Sequence, residues 1–390
     1  MRILHVTAYY HPAVEWGGPV RSVALLAQAT AQAGADVEVL TTSARGRADL
    51  PPIPPGVRAV NGIPVEYCRA RGPRRFFFSA ELASALWRRV RRADVVHVHG
   101  LWTYPVLAAA RVCSLLGVPY VLSPRGSLDP WALRQKSWKK RGYTLLFEHR
   151  TLRGARLLHF TSEDEHRTAP AAYRDQPHAV VPNCLELEGL LALPHDEAAA
   201  AHPELLVLGR IHRMKGFDVL VPALRSLADE GRPVRLVIAG NDEDGYRAEV
   251  ERLAAAHGVA ERIRFLGEVD EAGKRAAFRR AALLVAPSYR ENFGNAVAEA
   301  MAAGVPVVVS ERVGIAADVT EARAGLVVPI DAAGLAAAVA RLLDDPTARA
   351  EMGARGRALA RARWAGPAVA RAMLAAYARV APVAEEAAIP

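Results

Sequence analysis

The sequence predicts an α/β protein built as two doubly wound domains in tandem, and three observations carry that prediction. Short, continuous apolar runs alternate with amphipathic segments along the chain, and this alternation restarts after residue 182. The third is capacity: 390 residues with 51% hydrophobic composition hold more apolar side chain than one ordinary core needs. Strands that are apolar throughout, each followed by a helix, indicate a parallel sheet covered on both faces.

Taken in order, the expected strands of the first half are 2–7, 37–41, 57–60, 64–68, 93–98, 119–122, 157–160 and 179–181. The expected helices there are 20–33, 80–91, 106–116 and a long basic one from about 130 to 152. In the second half the strands are expected at 204–208, 235–239, 263–266, 283–285, 305–309 and 326–328. Its helices are expected near 216–230, 245–257, 270–280, 294–303, 332–343 and 346–362, with a final helix near 366–380. The segment 181–194, with Pro182, Asn183 and two acidic residues, is the expected boundary. The domains are therefore 1–182 and 183–365, followed by a terminal piece, 366–390, and the two are expected to face each other across a cleft.

Composition excludes several classes. Mixed charge with high hydrophobicity argues against disorder, and 29 Gly without a three-residue period argues against a collagen-like chain. No uncharged apolar run approaches the roughly 18 residues that cross a bilayer, and residues 1–8 read as a buried strand instead of a signal core. Cytoplasmic residence is the expectation. Cys68, Cys113 and Cys184 are odd in number and widely spaced, which suits buried small side chains better than a disulfide framework or zinc ribbon. Neither HExxH nor paired CxxC occurs, so no metal and no cofactor are expected. The net charge of +9 is uneven: residues 1–182 carry 25 Lys+Arg against 13 Asp+Glu, and residues 183–390 carry 25 against 28. An anionic partner for the first half follows. Nucleic acid is not favoured, because no recognised binding module accompanies the charge.

The most informative loop opens the segment PSYRENFGNAVAEAMAAGVPVVVS at 287–310. Glu291 follows a buried strand, Gly294 allows close backbone approach, and a helix begins near Asn295. Glu299 is the one ionisable side chain from Asn292 to Ser310, and a buried carboxylate needs a polar partner. A vicinal diol of a sugar or ribose can supply it. The amides of Phe293, Gly294 and Asn295 at a helix start favour a phosphate or sugar edge. The same spacing also allows Glu291 to cap the helix and Glu299 to pair with an Arg. In a second loop, LGRIHRMKG, Arg210 and Lys215 bracket a turn where two cations and helix amides can converge on a diphosphate. Wound as proposed, the sheet brings both loops to one edge, and their inventory matches a nucleotide-sugar.

The first domain offers Gly17 and Gly18 at a strand-to-helix turn, where their amides can meet a phosphate of the donor or an acceptor, without the GxGxxG of a dehydrogenase. In DVVHVHG, His97 and His99 share a face, with His99 nearer the strand's end. Two histidines without a third ligand are weak support for zinc. SPRGSLDPWALRQKSWKKR, with Arg125 and Trp131, and RGPRRFFF at 71–78 both mix cations with aromatics, as membrane-interface or lipid-diphosphate segments do.

With these motifs in hand, the sequence resembles the retaining glycosyltransferases of family 4, which have the GT-B fold. The resemblance rests on HVHG, GRIHRMKG and above all ENFGNAVAEAMAAGVPVV, whose Glu291 and Glu299 match that family's E-x7-E pattern; SPRGSLDPWAL resembles bacterial members that build cell-surface polysaccharides. It implies a metal-independent transferase moving a sugar from a nucleotide-diphosphate sugar to a glycan or lipid-linked acceptor. It gives Arg210 and Lys215 to the diphosphate, and Glu291 with Asn292 and the Phe293–Asn295 backbone to the sugar. Glu299 falls to the ribose, and Gly267 and Val269 to the base. His99 approaches the sugar or acceptor, with Arg125 and Trp131 on the acceptor side of an acceptor-binding first domain. The terminal helix crosses back to that domain. Cys184 departs from the usual PNG as PNC and puts the turn there in question. A nucleotide-sugar epimerase or hydrolase, or a non-catalytic binding subunit, are the rival readings, separated by product analysis and by a transfer assay.

Overall fold

The computed structural model describes residues 1–46, 50–71, 76–130, 133, 148–194, 203–242 and 244–381. It divides into two compact units: Met1–Glu186 together with the chain from Gly366 onward, and Leu187–Ala365. The division falls four residues beyond 182, after the buried Cys184 and Leu185 have joined the first unit.

Among the described residues the first unit has one sheet in the order β3-β4-β2-β1-β5-β6-β7-β8. Its strands are β1 (Arg2–Thr7), β2 (Asp36–Thr42), β3 (Gly56–Val60), β4 (Ile63–Cys68), β5 (Val95–His99), β6 (Tyr120–Ser123), β7 (Leu157–Phe160) and β8 (His178–Val180). Alternate residues feed two cores. Leu4, Val6, Val96 and Val98 pack with helices Ala80–Val90 and Tyr104–Leu116 on one face. Ile3, Val37 and Val95 pack with helices Gly18–Gln32 and Gly366–Ala378 on the other. Burial on both faces is why these strands carry so few polar side chains.

One expectation is corrected here. The sheet is not wholly parallel: β3 runs antiparallel to β4, pairing Val60 with Ile63. Asn61 and Gly62 between them both have positive φ, 51° and 80°, the two-residue hairpin turn that an Asn-Gly pair favours. Short helices Glu163–Thr168, Ala171–Arg174 and Ala316–Ala322 were not foreseen. The long basic helix expected near 130–152, with Trp131, falls almost wholly outside the described residues; a short helix, His149–Arg153, is described at the far end of that range.

The second unit has a sheet in the order β11-β10-β9-β12-β13-β14, parallel throughout. The strands are β9 (Glu204–Leu208), β10 (Arg235–Ala239), β11 (Ile263–Gly267), β12 (Ala281–Ala286), β13 (Val307–Ser310) and β14 (Gly325–Val328). Helices Phe217–Asp229 and Ala332–Asp344 bury Leu220, Leu224, Leu335 and Val339 against it. No helix among the described residues is long and apolar enough to cross a membrane.

Candidate functional site

In an open parallel sheet, ligands collect outside the carboxyl ends of the strands where the strand order reverses. In the second unit that point lies between β9 and β12, neighbours in the sheet although two strands separate them in sequence. The loops that leave these two strands are 209–216 and 287–294, the two singled out by their composition.

Main chain locks the loops together. Tyr289 N donates to Met214 O at 2.9 Å. Gly216 has φ 71°, and a Cβ there would stand 2.1 Å from Pro287 O, so only glycine lets the loops approach this closely. Lys215 Nζ donates to Glu291 Oε1, and Ser288 Oγ lies 3.4 Å from the same oxygen. Both members of this ion pair are partly buried, while Arg210 stands exposed two residues beyond β9.

Gly294, at φ 101°, opens helix Asn295–Ala302; an added Cβ would lie 2.8 Å from Val313 Cγ1. Phe293 is buried with its ring edge-on to Trp364, which aims the chain into the helix, and Asn292 and Asn295 flank the turn half-buried. The positive end of the helix therefore sits beside Lys215 and Glu291, a setting suited to an anionic or hydroxyl-rich ligand.

Glu299 projects from the second turn of this helix and is paired with Lys274 Nζ at 3.1 Å. Lys274 belongs to helix Glu271–Arg280, capped by Asp270 Oδ1 accepting from Gly273 N at 2.7 Å. Gly267 ends β11 at φ 71° with its carbonyl accepting from Gly240 N at 2.7 Å, and the half-buried Val269 leads into the same helix.

The first unit has its own reversal, between β1 and β5. Gly17 precedes helix Gly18–Gln32, and a Cβ on Gly17 would meet nothing within 4 Å, so the approach to this helix start is open. His99 ends β5 only 4% exposed. Its Nδ1 accepts from Arg125 Nε at 3.3 Å, and its Nε2 is 2.9 Å from His5 Nδ1. Arg125 also donates to Ser22 Oγ at 2.9 Å, in the first turns of that helix, and to Asn183 Oδ1 at 3.2 Å.

Donors and acceptors fix every tautomer in this cluster. An arginine only donates, so His99 carries its proton on Nε2 and gives it to His5 Nδ1. Val181 O only accepts, at 2.8 Å from His159 Nε2, so His159 Nδ1 accepts from His97 Nε2 at 3.2 Å. His97 Nδ1 is left to accept from the Tyr377 hydroxyl at 2.7 Å. Burial, with the Arg125 charge second, pulls His5 and His159 down to about 3; burial and neighbouring ring charges hold His97 and His99 well below their ordinary value. The rings of His5, His97 and His99 approach closely enough to enclose a metal ion. Five of their six nitrogens are instead committed to one another, to Arg125, to His159 and to Tyr377, leaving His5 Nε2 buried without a partner among the described residues, and a dication beside Arg125 is opposed by charge.

Comparison with known proteins follows this geometry. Residues 17–184 match the glycosyl transferase 4-like domain, and residues 196–359 match the glycosyl transferases group 1 family. A D-inositol 3-phosphate glycosyltransferase of Streptomyces scabiei is 30% identical, across 91% of this chain and 85% of its own. The chain belongs to the family 4-like GT-B glycosyltransferases. A glycogen synthase of Mycobacterium tuberculosis is 31% identical to this glycosyltransferase, over 89% of the chain and 87% of that protein. HepE of Anabaena, solved in complex with UDP-glucose, has the same fold: TM-score 0.71 at 18% identity, covering 97% of this chain and 100% of HepE.

Within the glycosyltransferase, the structure brings Lys215, Glu291 and the Gly294 helix start together, and sets Arg210 on the same pair of loops. It joins His99 to Arg125 beside the helix that Gly17 and Gly18 begin. A hydrogen bond from the His99 ring to a substrate requires Arg125 or His5 to yield, since both ring nitrogens are engaged. Trp131 lies outside the described residues. Cys184 keeps an ordinary backbone conformation, so the position does not demand the glycine that the PNG pattern puts there. Cys68, Cys113 and Cys184 are all buried free thiols, pushed up to about 12 by burial. His5, His159, Tyr377 and Lys274 escaped the sequence reading. The first three meet only through the tertiary fold, and Lys274 looks like any solvated helix cation.

Proposed function

We propose that this glycosyltransferase takes a nucleotide-diphosphate sugar as donor and passes its sugar, with retained anomeric configuration, to a hydroxyl of a glycan or lipid-linked acceptor. The process it serves is polysaccharide or glycoconjugate biosynthesis at the inner face of the membrane. The observation that carries the donor half is the pairing of Lys215 with Glu291 at the strand-order reversal of the second unit. A diphosphate competes for the lysine while sugar hydroxyls satisfy the carboxylate, so one ligand replaces both partners.

Breaking the anomeric C–O bond leaves charge on the diphosphate. On this reading Arg210, Lys215 and the helix start at Gly294 stabilise it, which supports chemistry that does not depend on a metal ion. Among the described residues we assign no nucleophile for double displacement, and same-face attack with the leaving phosphate as base is the proposed course. Glu299 takes the ribose, and the loop through Gly267 and Val269 lies by the base. The Gly17–Gly18 turn offers amides to the donor, His99 approaches the sugar or the acceptor hydroxyl, and Arg125 lies on the acceptor side. The membrane reading is supported by the outer faces of helices Ala80–Val90 and Tyr104–Leu116, where Trp87 and Leu115, 40% and 70% exposed, stand among exposed Arg88, Arg91 and Arg111.

The test is a thermal-shift screen of UDP-, GDP-, ADP- and dTDP-sugars, starting from UDP-glucose because HepE binds it, followed by transfer assays with the stabilising donor. Stabilisation by one donor and sugar transfer with retained configuration support the proposal. Conversion of donor without an acceptor sinks it in favour of an epimerase or hydrolase, and no stabilisation by any donor sinks the donor site.

A further inference from the structure

Helix Glu271–Arg280 carries a lysine that the steps described so far leave without a role. Lys274 is 7% exposed, and its ammonium lies 3.1 Å from Oε1 of Glu299 and 3.0 Å from Oε2 of Glu271. An ammonium so far from water is costly unless carboxylates surround it, and ordering its long stem adds an entropic cost. The two carboxylates are not equivalent. Glu271, 39% exposed and one turn away on the same helix, is screened by solvent. Glu299, 16% exposed, sits on the helix that follows β12, whereas Lys274 sits on the helix that precedes it. The Lys274–Glu299 bridge therefore ties the loop of Gly267 and Val269 to the helix that opens at Gly294.

We propose that Lys274 is a positioning residue for the donor's ribose, holding Glu299 in one orientation so that the enzyme selects ribonucleotide over 2′-deoxyribonucleotide donors. The inference rests on the reading of Glu299 as the ribose ligand. A carboxylate has about four acceptor sites; Lys274 takes one on Oε1, and a vicinal diol needs two that are fixed relative to each other. Fixing them is what the lysine adds. A site built around two hydroxyls rejects a sugar that lacks one, because the orphaned acceptor loses a charge-assisted bond it had in water. A carboxylate free to turn relaxes around the smaller ligand and loses that discrimination.

A purely structural role predicts something different. If Lys274 only staples two helices, its removal weakens every nucleotide in proportion and leaves the ratio of ribose to deoxyribose affinity unchanged. The experiment is calorimetric titration of the full chain with UDP and 2′-deoxy-UDP, and with GDP and 2′-deoxy-GDP. Wild type, Lys274→Met, Lys274→Gln, Lys274→Arg and Glu299→Gln are compared after a melting curve confirms each fold. The two neutral replacements are independent, so failure of one to fold leaves the other to decide. Wild type is expected to prefer the ribonucleotide at least tenfold, the Met and Gln variants less than threefold, and the Arg variant to recover most of the preference. A wild-type-sized preference in a folded Met or Gln variant overturns the role of Lys274 and leaves the ribose reading standing. Equal affinities in wild type, or an undiminished preference in Glu299→Gln, overturn the ribose reading itself.

Discussion

Lys215 and Glu291, 76 positions apart in the chain, meet as an ion pair at the junction of two loops that leave adjacent parallel strands. Neither the lysine nor the carboxylate has its charge to spare while they are joined. A donor that carries both phosphates and hydroxyls is the kind of ligand that satisfies each without stranding the other. An anion alone, or a neutral sugar alone, leaves one partner exposed to an unmatched charge.

Replacing Glu291 with Ala or Lys215 with Ala is therefore expected to lower kcat/KM at least tenfold, about 1.4 kcal/mol of barrier. Because the two residues touch, the double variant should lose less than the product of the single losses. Initial rates across a donor series check this; wild-type rates in both single variants remove the site from the reaction.

Gly294→Ala strains a backbone at φ 101° and drives a methyl against Val313 Cγ1. Adjustment of that kind costs on the order of 1–3 kcal/mol and tilts the start of helix Asn295–Ala302. The expected signature is a raised KM for donor with a modest loss of melting temperature. An unchanged KM shows that the helix start does not touch the donor.

Much of this arrangement was legible in the chain. The strands 2–7, 157–160, 204–208 and 235–239 were placed to the residue because burial on both faces leaves an unbroken apolar run between polar turns. The loops of Arg210 and Glu291 were identifiable because charge and glycine stand out directly after such runs. What was missed has local or non-local reasons. Helix Glu163–Thr168 announces itself through Ser162, whose Oγ accepts from Glu165 N at 3.1 Å, but six residues give too little periodicity to read. The direction of β3 was written in Asn61-Gly62, a hairpin signal passed over beside so many parallel strands. Of the histidine network only His97 and His99 have a local signature; residues 5, 159 and 377 join them only when three strands and the returning helix meet.

That network makes acid stability a second-order readout of the fold. His5 and His159 titrate near 3 in the native state against 6.5 when unfolded, and His97 and His99 are lowered in the same sense. A native ring that refuses a proton which the unfolded chain accepts loses stability as pH falls below 6.5, by about 1.4 kcal/mol per ring at one unit below. Glu148 works the other way: burial raises it to about 7 from 4.5, so the native state holds its proton longer and gains on acidification over that interval. Four rings outweigh one carboxyl. The urea midpoint followed by circular dichroism should fall clearly between pH 7.5 and 5.5, and a flat profile contradicts the buried neutral network.

Tyr377→Phe isolates the returning helix within that network. The hydroxyl donates to His97 Nδ1 in a site closed to water, and burial pushes the phenol's pKa up, so it remains a donor at any working pH. Deleting it strands a lone pair that His97 cannot redirect, because its other nitrogen must keep its proton to serve His159, whose own tautomer is set by Val181 O. The cost of such an orphan is about 1–3 kcal/mol. The variant should unfold at lower urea yet bind donor nucleotide with wild-type affinity, since Arg210, Lys215 and Glu299, assigned to its diphosphate and ribose, lie in the second unit. Equal stability would mean that His97 finds another donor and that the chain of tautomers is not as locked as its partners require.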